Sequence, residues 1–267
     1  MISKSFMSLD DILDSSVNWI PSTLNYSNYI TAAKSMDFWK SFGQSVVIAG
    51  LPTVCSIVSC ATVGYGLARF EFPGKKIVFG ILILSFVLPK QITMIPTYAL
   101  LSKMKLLGTL WSFVLPAITA QGLNSPIFIL IFYQFFRQVP KALIEAAQID
   151  GSGYFQSFVK ISLPSAVPAI VTVALFSFVW YWNESYLTNL YVHGVMTPSG
   201  WTTLVIQLKN FATNFSDYQT TAQTAVNLNE SISMAGTMLS ILPLLIMYLI
   251  LQKQYVESID RTGITGE

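Results

Sequence analysis

The longest uncharged stretch of the sequence decides its fold class. Residues 106–136 read LLGTLWSFVLPAITAQGLNSPIFILIFYQFF and contain no Asp, Glu, Lys or Arg. An apolar helix of roughly 20 residues crosses a bilayer, so this stretch is long enough to do so. The strands of a membrane β-barrel are about ten residues long and alternate apolar with polar side chains, which this stretch does not. Because lipid offers no hydrogen bonds to the backbone, a helix is the expected structure.

The composition of the whole chain agrees with a membrane protein. Of its 267 residues, 53% are hydrophobic and only 10% are charged, and the mean hydropathy is +0.57. Soluble domains carry about 25% charged residues, so disorder, a collagen, a disulfide scaffold and an ordinary cytosolic enzyme are disfavoured. The net charge of +2 is too small to indicate nucleic acid. Cys55 and Cys60 share an apolar run and are expected in the core, and with His193 as the single histidine no metal site is expected.

Similar uncharged stretches predict an all-α polytopic membrane protein. A buried soluble core could account for one such run but not for four in one chain. A fifth apolar stretch is interrupted by Lys90, but the Leu- and Ile-rich residues before this lysine still indicate a span. The five predicted transmembrane helices cover about 44–67, 77–97, 110–136, 165–188 and 232–251.

The basic residues predict the orientation, because Lys and Arg accumulate in cytoplasmic loops. Three alternate connections share one side and contain Arg69, Lys75, Lys76, Arg137, Lys141, Lys160, Lys253 and Arg261. This places an extracytoplasmic segment at 1–42, the transmembrane region at 43–252 and a cytoplasmic tail at 253–267. An N-terminus outside the cell needs a signal peptide or a preceding span, and the first forty residues offer no apolar segment for either. We therefore expect a helix upstream of this sequence.

The loop 138–164 between the third and fourth predicted spans has the pattern of two short helices. Pro140 suits the first position of a helix, and Gly151 suits the left-handed residue that ends one. The second helix, which Pro164 should end, is expected to place on one face Phe155, Phe158, Val159 and Ser162.

Two interpretations of this loop follow from its composition alone. It could be an amphipathic hairpin resting on lipid. It could instead dock a cytoplasmic partner, with Ala146 and Ala147 allowing close approach and with Glu145 and Asp150 offering charge.

The spacing within the loop resembles a known family signature. Glu145-Ala146-Ala147, then Gly151, then Ile161 and Leu163-Pro164 match the signature loop of the membrane subunits of binding-protein-dependent ABC importers. Trp182-Asn183-Glu184 is similar to a motif of the carbohydrate branch of that family, and Gly66-Leu67-Ala68-Arg69 resembles its first cytoplasmic turn. The resemblance covers about 40–267 and is nearest to the smaller permease subunit of maltose-type sugar importers, which normally has six spans.

The resemblance implies a function without chemistry in this chain. It implies a second permease subunit, two ATP-binding subunits, an extracytoplasmic solute-binding protein and lipid as partners, in the plasma membrane of a bacterium or archaeon. Coupling to the ATPase is implied for Glu145, Ala146, Ala147, Asp150 and Gly151. No catalytic residue, metal or cofactor is expected in this chain, since ATP and Mg²⁺ would bind the partner subunits, and the sequence has no phosphate-binding loop.

The resemblance also implies two further sites. Trp182 and Asn183 would line the translocation path, although an aromatic belt at the membrane interface equally explains the tryptophan. Gly263 and Gly266 would contact the ATPase, although a terminus is often disordered. The long extracytoplasmic loop 189–230 would face the binding protein.

Other functions stay open at this point. The same class of importer could carry a polyamine, a phosphate or an amino acid instead of a sugar. A secondary transporter would need ionisable residues within its spans, and only Lys90 qualifies. A scaffold that borrows the loop for docking is the third alternative.

Overall fold

The protein is built from helices. We describe a computed structural model over residues 1–193 except 15 and 18, over 200–222 and over 228–263, and these residues form no β-strand. The helices are α1 (Ile2–Ser5), α2 (Leu9–Leu13), α3 (Ser27–Ser35), α4 (Phe38–Arg69), α5 (Lys75–Val87), α6 (Lys90–Lys103), α7 (Trp111–Ile118), α8 (Ser125–Gln138), α9 (Lys141–Ile149), α10 (Tyr154–Ser157), α11 (Leu163–Ser165), α12 (Val167–Asn183), α13 (Tyr186–Thr188), α14 (Leu204–Lys209), α15 (Phe211–Ala222) and α16 (Glu230–Gly263). Two π-helical turns lie at Phe158–Ser162 and Asn189–His193. The predicted all-α class is confirmed for the described residues.

Two compact units make up the chain, and each is described by itself. The first unit comprises Met1–Val47 and Trp182–Tyr248. The second comprises Ile48–Tyr181 and the residues from Leu249 onward.

Hydrogen bonds fix the N-terminal segment within the first unit. Ser8 caps α2 through a reciprocal pair of bonds with Asp11, a motif that satisfies two backbone donors at a helix start. The buried amide nitrogen of Asn28 on α3 donates to the carbonyls of Ser5 at 3.1 Å and Met7 at 2.9 Å. The short helices α1 and α2 are therefore tied to α3 although neither is long enough to be stable alone.

The second unit has an aromatic core. Phe128, Phe132 and Phe136 project from α8 at helical spacing and are completely buried. They pack with Tyr65 of α4, whose ring lies 5.4 Å from that of Phe136. The backbones approach most closely at Gly64, where an added Cβ would lie 2.7 Å from the Cβ of Phe132. Small residues that allow such approach are typical of helix packing in membranes.

Two helices have the length and composition of a single membrane span. These are α4 and the first part of α16, which include the predicted spans 44–67 and 232–251. Three further pairs of helices in the described residues pass the same criterion when each bent pair is taken together. Five spans are thus the largest number that length and composition allow in this part of the chain.

The predicted span 77–97 is bent. It comprises α5 and α6, whose axes differ by 102°. Leu88 between them is extended, with ψ 129°, as expected for the residue before a proline. Pro89 then caps α6. The sequence predicted one span here, and the structure bends it at Pro89.

The predicted span 110–136 is also divided. α7 ends at Ile118 and α8 begins at Ser125, so residues 119–124 are not helical. Pro126 near the start of α8 suits a new helix beginning. The expectation of one continuous helix was wrong at these six residues, because the hydropathy of the stretch hides its local helix-breaking residues.

Candidate functional site

The first helix of the loop is short and largely uncovered. α9 runs from Lys141 to Ile149 with Pro140 at its N-cap, so it begins one residue after the predicted start at Pro140. Ile144 faces inward and is 9% exposed. Ala147 is half-buried, whereas Glu145 is exposed. The helix therefore rests on one apolar side chain and presents its acidic residue outward.

A glycine corner ends this helix, as the sequence predicted. Gly151 has φ +87°, a conformation that other residues adopt only at a cost. Its N–H donates to the carbonyl of Gln148 at 3.0 Å, and the N–H of Ser152 donates to that of Ala147 at 2.9 Å. Together these bonds form a Schellman motif. The corner is thus a defined structure that leaves the exposed carboxylate of Asp150 at its rim.

The second helical segment of the loop does not present its four predicted residues on a single face. α10, the π-helical turn and α11 follow one another, and the last helix bends by 75° into α12. Phe158 is half-buried and Ser162 is buried, while Phe155 and Val159 are 78% and 41% exposed. The four residues therefore lie on two neighbouring stripes, and only one stripe is covered by protein.

Contacts with the end of α4 hold the loop in place. Arg69 donates from its guanidinium to the carbonyl of Val139, just before the loop's first helix begins. The rings of Tyr65 and Phe158 have centroids 4.7 Å apart. The ring of Phe70 lies edge-on to that of Tyr154 at 5.4 Å. Sequence reasoning did not pair these residues, because nothing local links a helix end to a loop some ninety residues later.

An exposed apolar surface surrounds the acidic residues of the loop. It consists of Leu143, Ile149, Tyr154 and Phe155, each more than half exposed, and we call it the loop surface. Exposed patches of this kind mark sites of association with protein or membrane. Its exposed apolar side chains, which lie beside two exposed carboxylates, are suited to docking.

Trp182 and Asn183 lie in different environments. Trp182 is 2% exposed; its indole N–H donates to the carbonyl of Ser240 at 3.4 Å, and its ring meets that of Phe42 edge-on. Asn183 ends α12 and is exposed. The tryptophan is thus a packing residue of the first unit, and a role for the pair in the translocation path stays a prediction.

The remaining predicted positions lie in the long loop and the tail. In 189–230 the rings of Phe211 and Phe215 on α15 are buried. In the tail, Gly263 is the last residue of α16, and Gly266 lies outside the described residues. The proposed contact between tail and ATPase therefore stays a prediction.

The helices, two of which are long and apolar enough to cross a membrane, are those expected of a membrane protein. Residues 61–261 match the family described as the inner membrane component of binding-protein-dependent transport systems. The chain belongs to that family, and is accordingly a multi-pass membrane protein.

Curated relatives and a solved structure resemble the chain over most of its length. It is 29% identical to the arabinooligosaccharide transport system permease protein of Halalkalibacterium halodurans, covering 100% of this chain and 89% of that protein. It is 28% identical to the trehalose transport system permease protein of Mycobacterium tuberculosis, covering 92% and 84%. A crystal structure of a bacterial ABC transporter that imports the acidic polysaccharide alginate contains a chain with the same fold, with a TM-score of 0.77 at 21% identity, covering 94% and 87%.

Proposed function

We propose that this chain is a permease subunit of an ABC importer that carries a sugar or oligosaccharide across the plasma membrane. Relatives named for arabinooligosaccharide and trehalose transport support the sugar class. The proposed partners are a second permease subunit, two ATP-binding subunits, an extracytoplasmic solute-binding protein and lipid. Hydrolysis of ATP with Mg²⁺ is assigned to the ATP-binding subunits and none to this chain.

The observation that carries the proposal is the loop surface around α9. A short helix with an exposed carboxylate at Glu145 and an apolar rim suits a complementary cleft better than lipid, since lipid would leave the carboxylate in an apolar environment. The Schellman corner at Gly151 and the bond from Arg69 to the preceding backbone make the helix a stiff extension of the second unit.

Stiffness is what coupling requires. Nucleotide shifts a transporter between conformations only if it favours one of them. In our proposal, closure of the two ATP-binding subunits moves α9, and the end of α4 moves with it through Arg69 and Tyr65. The cavity between the permease subunits then changes the side to which it is open. In the same proposal the loop and the C-terminus are cytoplasmic, and Gly263 and Gly266 approach the ATP-binding subunits.

The test is to reverse the charge of the docking helix. Glu145→Lys should reduce sugar uptake by cells at least about 30-fold, because loss of one partner of a buried interfacial charge pair costs about 2–5 kcal/mol. Gly151→Pro should have a similar effect, since proline cannot adopt the positive φ of the corner. In both variants, the amount of chain in the membrane should be unchanged.

Asp10→Lys is the matched control. Asp10 is also exposed and acidic but lies on α2 in the first unit, so its reversal should leave uptake within about twofold, as is usual for surface sites. Normal uptake by Glu145→Lys would refute the docking role. Purification of the chain with its partners then separates the alternative functions. If a non-sugar solute stimulates ATP hydrolysis, the cargo is not a sugar. Transport without an ATPase would indicate a secondary transporter, and an ATPase complex without transport would indicate a scaffold.

A further inference from the structure

The non-helical residues 119–124 break a membrane segment in its interior. α8 has 14 residues and α7 has 8, so at 1.5 Å per residue they are about 21 Å and 12 Å long. Neither helix alone crosses a hydrocarbon core of about 30 Å. Because the whole stretch 106–136 is uncharged, we expect the break to lie between the two membrane surfaces.

Several backbone groups in this break have no hydrogen-bond partner in the part of the chain that the structure describes. Within the described residues, the N–H groups of Gly122 and Asn124 donate no hydrogen bond, and the carbonyls of Thr119, Ala120 and Gln121 accept none. Unpaired backbone at membrane depth is tolerated only where other protein or a water-filled cavity covers it. Lipid therefore does not cover the break.

The conformation of the break is held from outside it. Ala120 and Asn124 have φ values of 56° and 58°, which cost a residue other than glycine of the order of 1 kcal/mol or more. The buried hydroxyl of Tyr181 on α12 accepts a hydrogen bond from the N–H of Leu123 at 3.0 Å. There is no room for a side chain at Gly122, where a Cβ would lie 2.6 Å from the same hydroxyl. The break is thus a packed and specific structure.

Two amide side chains belong to this break. Gln121 is exposed and Asn124 is half-buried. Asn124 occupies the N-cap position of α8 but makes no capping bond, and neither amide forms a side-chain hydrogen bond elsewhere in the described residues. An amide offers both donors and an acceptor, as do the backbone groups beside it.

We propose that the break, residues 119–124, contacts the hydroxyl groups of the transported solute as it passes through the membrane. It presents donors and acceptors at membrane depth without a charged side chain, which suits neutral hydroxylated parts of a sugar. This proposal rests on the proposed function, and it assigns the solute contact to Gln121 and Asn124 in place of Trp182, whose ring is buried.

The experiment compares two amides of one membrane segment in the complete importer. Gln134 on α8 is exposed like Gln121 but lies in regular helix. The reconstituted complex is supplied with its binding protein and with labelled arabinotriose or trehalose, and initial uptake is measured at saturating solute. Gln121→Leu should lower the rate about tenfold, the effect of one lost hydrogen bond in the transition state, whereas Gln134→Leu should stay within about twofold.

A second variant keeps the backbone conformation. Asn124→Gly removes the amide but retains positive φ at little cost, and should lower uptake severalfold. As an independent readout, a cysteine at position 121 should be modified by an impermeant thiol reagent and protected by the transported sugar, with a cysteine at position 134 as the unprotected control. Cys55 and Cys60 are first replaced by alanine.

The outcomes separate the two proposals. If the wild-type complex carries a non-sugar solute and neither sugar, the sugar function is overturned and this inference with it. Wild-type uptake with an unaffected Gln121→Leu variant and no protection at position 121 overturns only the inference. If Gln121→Leu instead prevents the permease subunits from purifying together, the break is covered by the partner subunit and the proposal is wrong.

Discussion

The close approach of α4 to α8 leads to a quantitative prediction for Gly64→Ala. The new Cβ would lie 2.7 Å from the Cβ of Phe132 and 3.1 Å from the carbonyl oxygen of Ile129 and from the amide nitrogen of Tyr133. Favourable carbon contacts lie at about 3.5–4.0 Å, so the helices must separate by roughly 1 Å. Because the obstructing atoms are backbone atoms and a Cβ, rotation of a side chain cannot relieve the overlap.

The size of the effect follows from two opposing terms. Overpacking by one methyl group costs about 1–3 kcal/mol, whereas alanine is favoured over glycine within a helix by up to about 1 kcal/mol. Gly50→Ala on the same helix isolates the second term, since no atom lies within 4 Å of the position that its new Cβ would take. The difference between the two variants should therefore equal the packing cost, about 1–3 kcal/mol in the free energy of unfolding.

The measurement is reversible unfolding of the purified chain in mixed micelles as the fraction of dodecyl sulfate is raised. Gly64→Ala should unfold at a lower dodecyl sulfate fraction than the wild type, and Gly50→Ala at an equal or higher one. Equal midpoints for the two variants would refute the close packing of α4 on α8.

Two further predictions concern backbone and pH. Tyr181→Phe removes the acceptor of the half-buried N–H of Leu123, which costs about 0.5–1.5 kcal/mol, and hydrogen exchange at 119–124 should accelerate while exchange in α9 does not change. In the N-terminal segment, hydrogen bonds from Ser22 hold the pKa of Asp11 below its ordinary value. The ionised carboxylate therefore stabilises the folded segment. This stabilisation is complete above the unfolded pKa of about 3.9 and is lost as the pH falls through the lower folded pKa. Exchange in residues 1–35 should therefore accelerate below about pH 4 and should not do so in Asp11→Asn, whose side chain does not titrate.

The loop was predictable where local chemistry decides its structure. Pro140 and Gly151 mark the start and end of α9 because proline fixes φ and because glycine alone adopts positive φ without strain. The contacts that hold the loop were not predictable in this way. Arg69 and Tyr65 lie on a different helix, and a single sequence contains no signal that joins them to Val139 and Phe158.

The second helix of the loop shows how tertiary contacts select among similar faces. Phe155 and Val159 are four residues apart, as are Phe158 and Ser162, so helical spacing alone treats the four as one broad apolar face. Tyr65 of α4 covers only the stripe that contains Phe158. The stripe of Phe155 and Val159 stays exposed, and the sequence alone does not show which of the two stripes is covered.

The break in 106–136 has a different origin, since its signals were present in the sequence. Gly122, Asn124 and Pro126 favour turns and helix starts, but a hydropathy average over some twenty residues outweighs them. In a soluble protein such a break would find water anywhere on the surface. In a membrane its unpaired groups are acceptable only beside protein or a polar passage, so the residues that weaken a helix prediction are also the ones that identify where a solute can pass. The stretch that decides the fold class is for this reason also where we place the solute contact.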